Sequence, residues 1–197
     1  MTHVNQLPTL ASIIRAHESL KQSKPLVQCL SNSVSVNFMA NVLLSAGASP
    51  AMVDNPEEAA EFVHFANGLV VNLGTPTSAL VEAMKLAIIE AKKINKPWVL
   101  DPIAAGALSW RGNLAAEFLK SKPTVVRGNA SEIIGLAGLG SNTKGFDSSN
   151  DPAHAVDAAV ALLEHTYVVS ASGEVDHIIA KTLVDDEEQY WVAKIKG

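Results

Sequence analysis

Gly68-Leu-Val-Val-Asn-Leu-Gly74 is a short apolar run closed at both ends by glycine, and its reading decides the fold. Five to seven residues of this kind suit a strand buried on both faces. Thr75 follows and can cap a helix, and Leu80, Ala83, Met84, Ala87, Ile88 and Ala91 then recur at helical spacing as one inner face. A buried strand feeding an amphipathic helix is the repeating unit of an α/β fold.

Working outward, the unit recurs. Upstream, Leu10, Ile13, Ile14, His17 and Leu20 give a first helix, and Asn55-Pro56-Glu57-Glu58 reads as an N-cap, a proline at the first helical position and a capping-box glutamate for a helix through Ala66. Downstream come a strand at Trp98–Leu100, a helix at Asn113–Ser121, a strand at Thr124–Val126 and a short helix at Ser131–Ala137. Asp151-Pro152 opens a further helix with Val156, Ala159, Val160 and Leu163 inward, and Thr166–Ser170 is a strand. His177–Thr182 and Gln189–Lys194 form a final pair around the acidic turn Asp185–Glu188. The class is therefore α/β with a largely parallel sheet. The glycine- and serine-rich stretch Gly138–Asn150 reads as a surface loop rather than a domain boundary, so 1–197 reads as a single α/β domain.

Composition narrows the function. Apolar residues make up 48% of 197 and charged residues 18%, enough for a large core, while a formal net charge of −5 gives no basic footprint for nucleic acid or anionic membrane. A single cysteine, Cys29, forms no internal disulfide and fits a reducing compartment. The six histidines lack metal-ligand spacing, and the start of the chain lacks the pattern of a signal peptide. Pro25 to Val53 is uncharged but broken by Gln28, Asn32, Asn37 and Asn41, so it reads as a buried segment with internal polar contacts rather than a membrane span. Within it, the helix after Ser35 is apolar nearly all round, which suggests a subunit contact. Asn37, Asn41 and Ser45 form one polar stripe, open to a ligand or to backbone hydrogen bonds.

In open α/β sheets, ligands bind beyond the carboxyl ends of the strands. Four strand ends carry small and polar residues: Asn72-Leu-Gly-Thr75, Asp101-Pro-Ile-Ala-Ala-Gly106, Arg127-Gly-Asn-Ala-Ser-Glu132 and Ser172-Gly-Glu-Val-Asp176. Carboxylates at Asp101, Glu132, Glu174 and Asp176 beside such backbone suit Mg²⁺, a hard cation that prefers oxygen. Asp101 before Pro102 reads equally as a helix cap. Arg127, ending an apolar strand, is expected to be exposed for phosphate, with a structural salt bridge as the alternative. There is no GxxxxGK[ST] and no GxSxG, and Gly135–Gly140 follows a helix rather than a strand, so it is no dinucleotide fingerprint.

Together with Pro25-Leu-Val, Ser31-Asn32 through Asn41, Gly47-Ala-Ser-Pro-Ala-Met52 and Gly173-Glu-Val-Asp176, these strand ends resemble hydroxyethylthiazole kinases, over nearly the whole chain and in the same order. The resemblance implies a ribokinase-like α/β fold, with phosphorylation of the hydroxyl of 4-methyl-5-(2-hydroxyethyl)thiazole by ATP and Mg²⁺ in thiamine biosynthesis or salvage. It implies a cytoplasmic trimer with the thiazole pocket between subunits. By position it assigns Met52 and Asn32 to the substrate, Arg127, Asn129 and Ser172 to ATP, and Asp101 and Glu132 to the Mg²⁺–phosphate side. It departs at Ser172, where threonine is common, and at Ala104, where glycine is usual. The family's glycine-rich loop with its catalytic base is expected beyond Gly197, so no catalytic base is assigned within the chain and the domain is expected to be incomplete at its C-terminus, without the last helices and with impaired turnover. Two other functions share the fold: a non-catalytic oligomerisation partner, and another ribokinase-like kinase such as one for hydroxymethylpyrimidine.

Overall fold

The computed structural model describes residues 1–4, 7–140 and 152–196. In chain order its elements are β1 (Thr2–His3), α1 (Leu10–Ser23), β2 (Leu26–Leu30), α2 (Val36–Ala46), β3 (Ser49–Ala51), α3 (Pro56–Phe65), β4 (Gly68–Asn72), α4 (Ser78–Lys93), β5 (Trp98–Asp101), α5 (Ser109–Leu119), β6 (Val125–Asn129), α6 (Ala130–Gly140), α7 (Pro152–Leu162), β7 (Val168–Ser172), β8 (Val175–Val184) and β9 (Glu187–Lys196). They form two compact units, Pro8–Trp98 and Met1–Leu7 with Val99–Gly197. The surface loop expected over Gly138–Asn150 and the cap expected at Asp151 lie largely outside the described residues.

In the unit Pro8–Trp98, β2 lies between β3 and β4, and both pairings are parallel. All six residues of the expected inner face of α4 are buried, with Ala83, Met84, Ala87 and Ala91 at 0% exposure. Their four-residue rhythm is what buries one face of a 3.6-residue helix. Asn55 caps α3, its side chain accepting from Glu57 N, with Pro56 at the first position. The cap of α4 is Thr77, whose Oγ1 accepts from Leu80 N, and not Thr75. Thr75 instead takes a left-handed φ of +38° and its Oγ1 accepts from Ser33 N at 3.2 Å. A hydroxyl facing another loop is unavailable to its own helix.

Two helices of this unit depart from a buried reading. α1 forms where its spacing predicts, capped by Thr9, yet Leu10, Ile13 and Ile14 are exposed. α2 has no buried residue, and Phe38, Val42 and Leu44 stand in solvent in the single chain. The uncharged Pro25–Val53 segment is thus buried along β2 and exposed along α2.

In the second unit, β5, β6 and β7 run parallel, β8 turns back antiparallel to β7, β9 is antiparallel to β8, and β1 is parallel to β9. The hairpin turn is Asp185-Asp186 alone, at φ +51° and +63°. Two consecutive left-handed residues match the twist of a two-residue hairpin. Glu187 and Glu188 therefore belong to β9, paired with Val184 and Leu183. Inward on α7 are Ala155, Ala158, Ala159 and Leu162, with Leu163 just beyond it, while Val156 and Val160 are half-buried. The fold is α/β around a mostly parallel sheet. Among the described residues no helix is long and apolar enough to cross a membrane.

Candidate active site

Asn72, Asp101, Asn129 and Ser172 are each the last residue of a strand, β4, β5, β6 and β7. The strand-then-polar pattern of the sequence is therefore a real feature of the backbone. Arg127 is the exception. β6 runs through Arg127 to Asn129, so Arg127 lies two residues inside the strand rather than after it. It is nonetheless exposed, as is Asn129, while Val126 before it and Gly128 between the two are buried. The period of two along a strand puts Arg127 and Asn129 on one face. Their β7 partners in register are Ser170 and Ser172, and the pairing of Leu100 with Val126 brings Asp101 level with Arg127. Among the described residues Arg127 makes no ion pair, so its guanidinium is free for an anion; the alternative of a structural salt bridge is not realised there.

The turn from β6 into α6 is built by a reciprocal pair. Asn129 Oδ1 accepts from Glu132 N at 3.0 Å and from Ser131 Oγ at 2.7 Å, while Glu132 Oε2 accepts from Asn129 N at 2.9 Å. This is a capping box with asparagine as the cap. The other carboxylate oxygen of Glu132 reaches across to accept from Ala104 N at 3.1 Å, tying the loop after β5 to the start of α6. Ala104 holds a left-handed φ of +61° to present that N–H. Gly128 makes room for the arrangement, because a Cβ there would come within 3.1 Å of Glu132 Oε2. Ser172 Oγ donates to Gly128 O at 3.3 Å, and Gly173 N donates to Asp176 Oδ1 at 3.0 Å, so Asp176 closes a turn.

Among the described residues no three of His, Cys, Asp and Glu gather around one point as a resident metal cage would require. Mg²⁺ carried in by phosphates needs only one or two carboxylates and keeps its waters. Asp101, half-buried at the end of β5, is a carboxylate of that kind. Glu132, whose two oxygens each already accept an N–H, fits through water.

The predicted substrate residues lie in the other unit. Asn32 follows β2 and is nearly buried. Its Oδ1 accepts from Val34 N and Ser35 N at 3.0 and 2.9 Å, and its Nδ2 donates to Asn72 Oδ1 at 2.8 Å. Asn72 Oδ1 also accepts from Gly74 N at 2.9 Å. Asn32 is thus a brace between two strand-end loops. Gly74 is obligatory in that brace: a Cβ would sit 2.9 Å from both asparagine side chains. Met52 follows β3 and is half-buried. The polar stripe of α2 bonds along itself, Asn41 Nδ2 to Asn37 Oδ1 and Ser45 Oγ to Asn41 O. Cys29 is buried at 1% exposure, and burial pushes its thiol from 9.0 up to about 11, so it supplies no thiolate.

Sequence reading missed the packing role of Gly128, the two-way bond of Glu132, and the partners of Gln28. Only Gln28 left a legible signal, as an amide inside the apolar run Leu26–Leu30.

The pattern of the hydroxyethylthiazole kinase family matches residues 17–187. A hydroxyethylthiazole kinase of Rhodococcus erythropolis (strain PR4 / NBRC 100887) is 49% identical over 92% of this chain and 63% of its own length. One of Acinetobacter baumannii (strain SDF) is 45% identical over 93% and 66%. The solved hydroxyethylthiazole kinase protein of Pyrococcus horikoshii OT3 superposes with a TM-score of 0.76 at 32% identity, over 86% of this chain and 63% of that one. The chain thus spans just under two thirds of the length of these relatives. With the strand-end constellation and the ribokinase-like α/β architecture, these matches show that the chain belongs to the hydroxyethylthiazole kinase family.

Proposed function

We propose that the chain serves the ATP- and Mg²⁺-dependent phosphorylation of the hydroxyl of 4-methyl-5-(2-hydroxyethyl)thiazole. The observation that carries this reading is the shared face of β6 and β7: an exposed Arg127 with no ion-pair partner among the described residues, followed by Asn129 and Ser172 at the strand ends. Phosphoryl transfer depends on positioning and on electrostatic stabilisation. In this reading Arg127 balances phosphate charge, and Asn129 and Ser172 offer polar side chains to the nucleotide. Asp101, and Glu132 through water, would hold Mg²⁺, which when bound offsets charge on the phosphate oxygens. Glu132 also holds the Ala104 loop, so that the backbone after Asp101 keeps one shape. Met52 offers an apolar side chain to the thiazole ring, and Asn32 shapes the neighbouring loop.

The assembly in this reading is a trimer that covers α2, supported by the exposed Phe38, Val42 and Leu44. A cytoplasmic site of action is supported by the single buried thiol.

Calorimetric titration tests the proposal. The chain is expected to bind MgATP and the thiazole alcohol, and to bind the thiazole alcohol more tightly than hydroxymethylpyrimidine. Equal or stronger binding of the pyrimidine would point to a different ribokinase-like acceptor.

A further inference from the structure

Gln28 is the only amide within the apolar strand β2, at 0% exposure, and its side chain crosses to neighbouring backbone. Its register partner on β3 is Ala51, the residue before Met52. Its Nε2 donates to Val53 O and to Ala59 O, both at 3.0 Å. Val53 is the residue after Met52, and Ala59 lies one turn into α3. One amide therefore fastens the middle of the connection from β3 to α3 to the strand behind it. Strand pairing holds that connection at Ala51, and the Asn55 cap holds it at α3. Among the described residues Gln28 Oε1 has no hydrogen-bond partner, and a buried acceptor without one carries a desolvation cost. An apolar side chain would avoid that cost, so what the amide contributes here is its donor.

We infer that Gln28 is a positioning residue that sets the place of Met52, and through it the fit of the thiazole alcohol. The inference rests on the assignment of Met52 to the substrate. Its mechanism is indirect: Gln28 is fully buried and acts by holding Val53 O. Without the donor, the connection is free to shift, and Met52 with it.

The experiment compares wild type, Gln28→Met, Gln28→Asn, Gln28→His and Met52→Ala. Gln28→Met keeps the volume and removes the donor. Gln28→Asn keeps the amide and shortens its reach by one methylene. Gln28→His restores a donor of longer reach on a rigid ring. Folding is checked by thermal melting, and affinities for the thiazole alcohol and for MgATP are measured by calorimetry. Loss of one hydrogen bond that holds a binding segment should weaken thiazole affinity about three- to tenfold in Gln28→Met and Gln28→Asn. MgATP affinity should stay unchanged in both, and Gln28→His should bind the thiazole alcohol close to wild type. Hydrogen exchange should rise at residues 52–55 in the two weakened variants. Wild-type thiazole affinity in either folded variant, or an equal loss for both ligands, overturns the inference. If Met52→Ala leaves thiazole affinity unchanged, the substrate assignment fails first, and the inference falls with it.

Discussion

Ala104 shows how one residue can be right in place and wrong in kind. Its N–H meets Glu132 Oε1, and to point there it adopts φ +61°, a region that disfavours any side chain with a Cβ. Glycine would take the same shape without that strain, at the cost of a more flexible unfolded chain. Ala104→Gly is expected to stabilise the protein by about 1 kcal/mol, a rise of about 2–4 °C in Tm for a chain of this size. A lower Tm in the variant would show that the alanine is not strained. Cys29 makes a second residue-scale prediction. Its thiol is raised to about 11 in the fold by burial, against an ordinary value of 9.0. The unfolded state therefore loses its proton first as pH rises. Stability from this group is constant below pH 9 and falls between about pH 9 and pH 11. Cys29→Ala should flatten that part of the stability profile, and thiol reagents at pH 8 should label the native protein only on unfolding.

At the scale of elements, the start of α4 separates two neighbouring threonines. Thr77 satisfies Leu80 N at the helix start, whereas Thr75 serves the Ser33 loop. Thr77→Ala is expected to cost about 0.5–2 kcal/mol through the lost cap. Thr75→Ala leaves that cap in place, so urea melts that showed the larger loss for Thr75→Ala would contradict the assignment. The elements themselves were legible because periodicity reports the helix, even where, as in α1, the apolar stripe stays exposed. The α4 stripe from Leu80 to Ala91 is buried residue for residue. The boundary at Arg127 was not legible, since a charged residue inside a strand reads as a strand end unless its alternate exposure is known. The second bond of Glu132, to Ala104 N, joins residues 28 apart and leaves no local trace.

Among the described residues, α2 keeps large apolar side chains exposed in the single chain. Phe38 is 73% exposed on α2, with Val42 one turn on along the same face, and Leu44 is exposed on another face. Exposed contiguous apolar surface marks an association site. In the proposed trimer, Phe38→Asp is expected to leave monomers where the wild type has the mass of three chains, read by light scattering, with the secondary structure unchanged. Unchanged mass in the variant would place the interface elsewhere. The all-round apolar character of α2 was readable from the sequence, but it was compatible with burial inside the chain until the coordinates set that helix at the surface.

In the proposed function, the β6–β7 face is the phosphate side of a thiazole kinase site, with Arg127 as its cation. The most direct test is calorimetric titration of MgATP into the wild type and Arg127→Ala, with the thiazole alcohol as the control ligand. A hydrogen bond to a charged group is worth about 1.5–3 kcal/mol, so MgATP affinity should fall about tenfold or more in the variant. Thiazole affinity and Tm should remain those of the wild type, because Arg127 is exposed and makes no ion pair among the described residues. Unchanged MgATP affinity in a folded Arg127→Ala protein would contradict the claim.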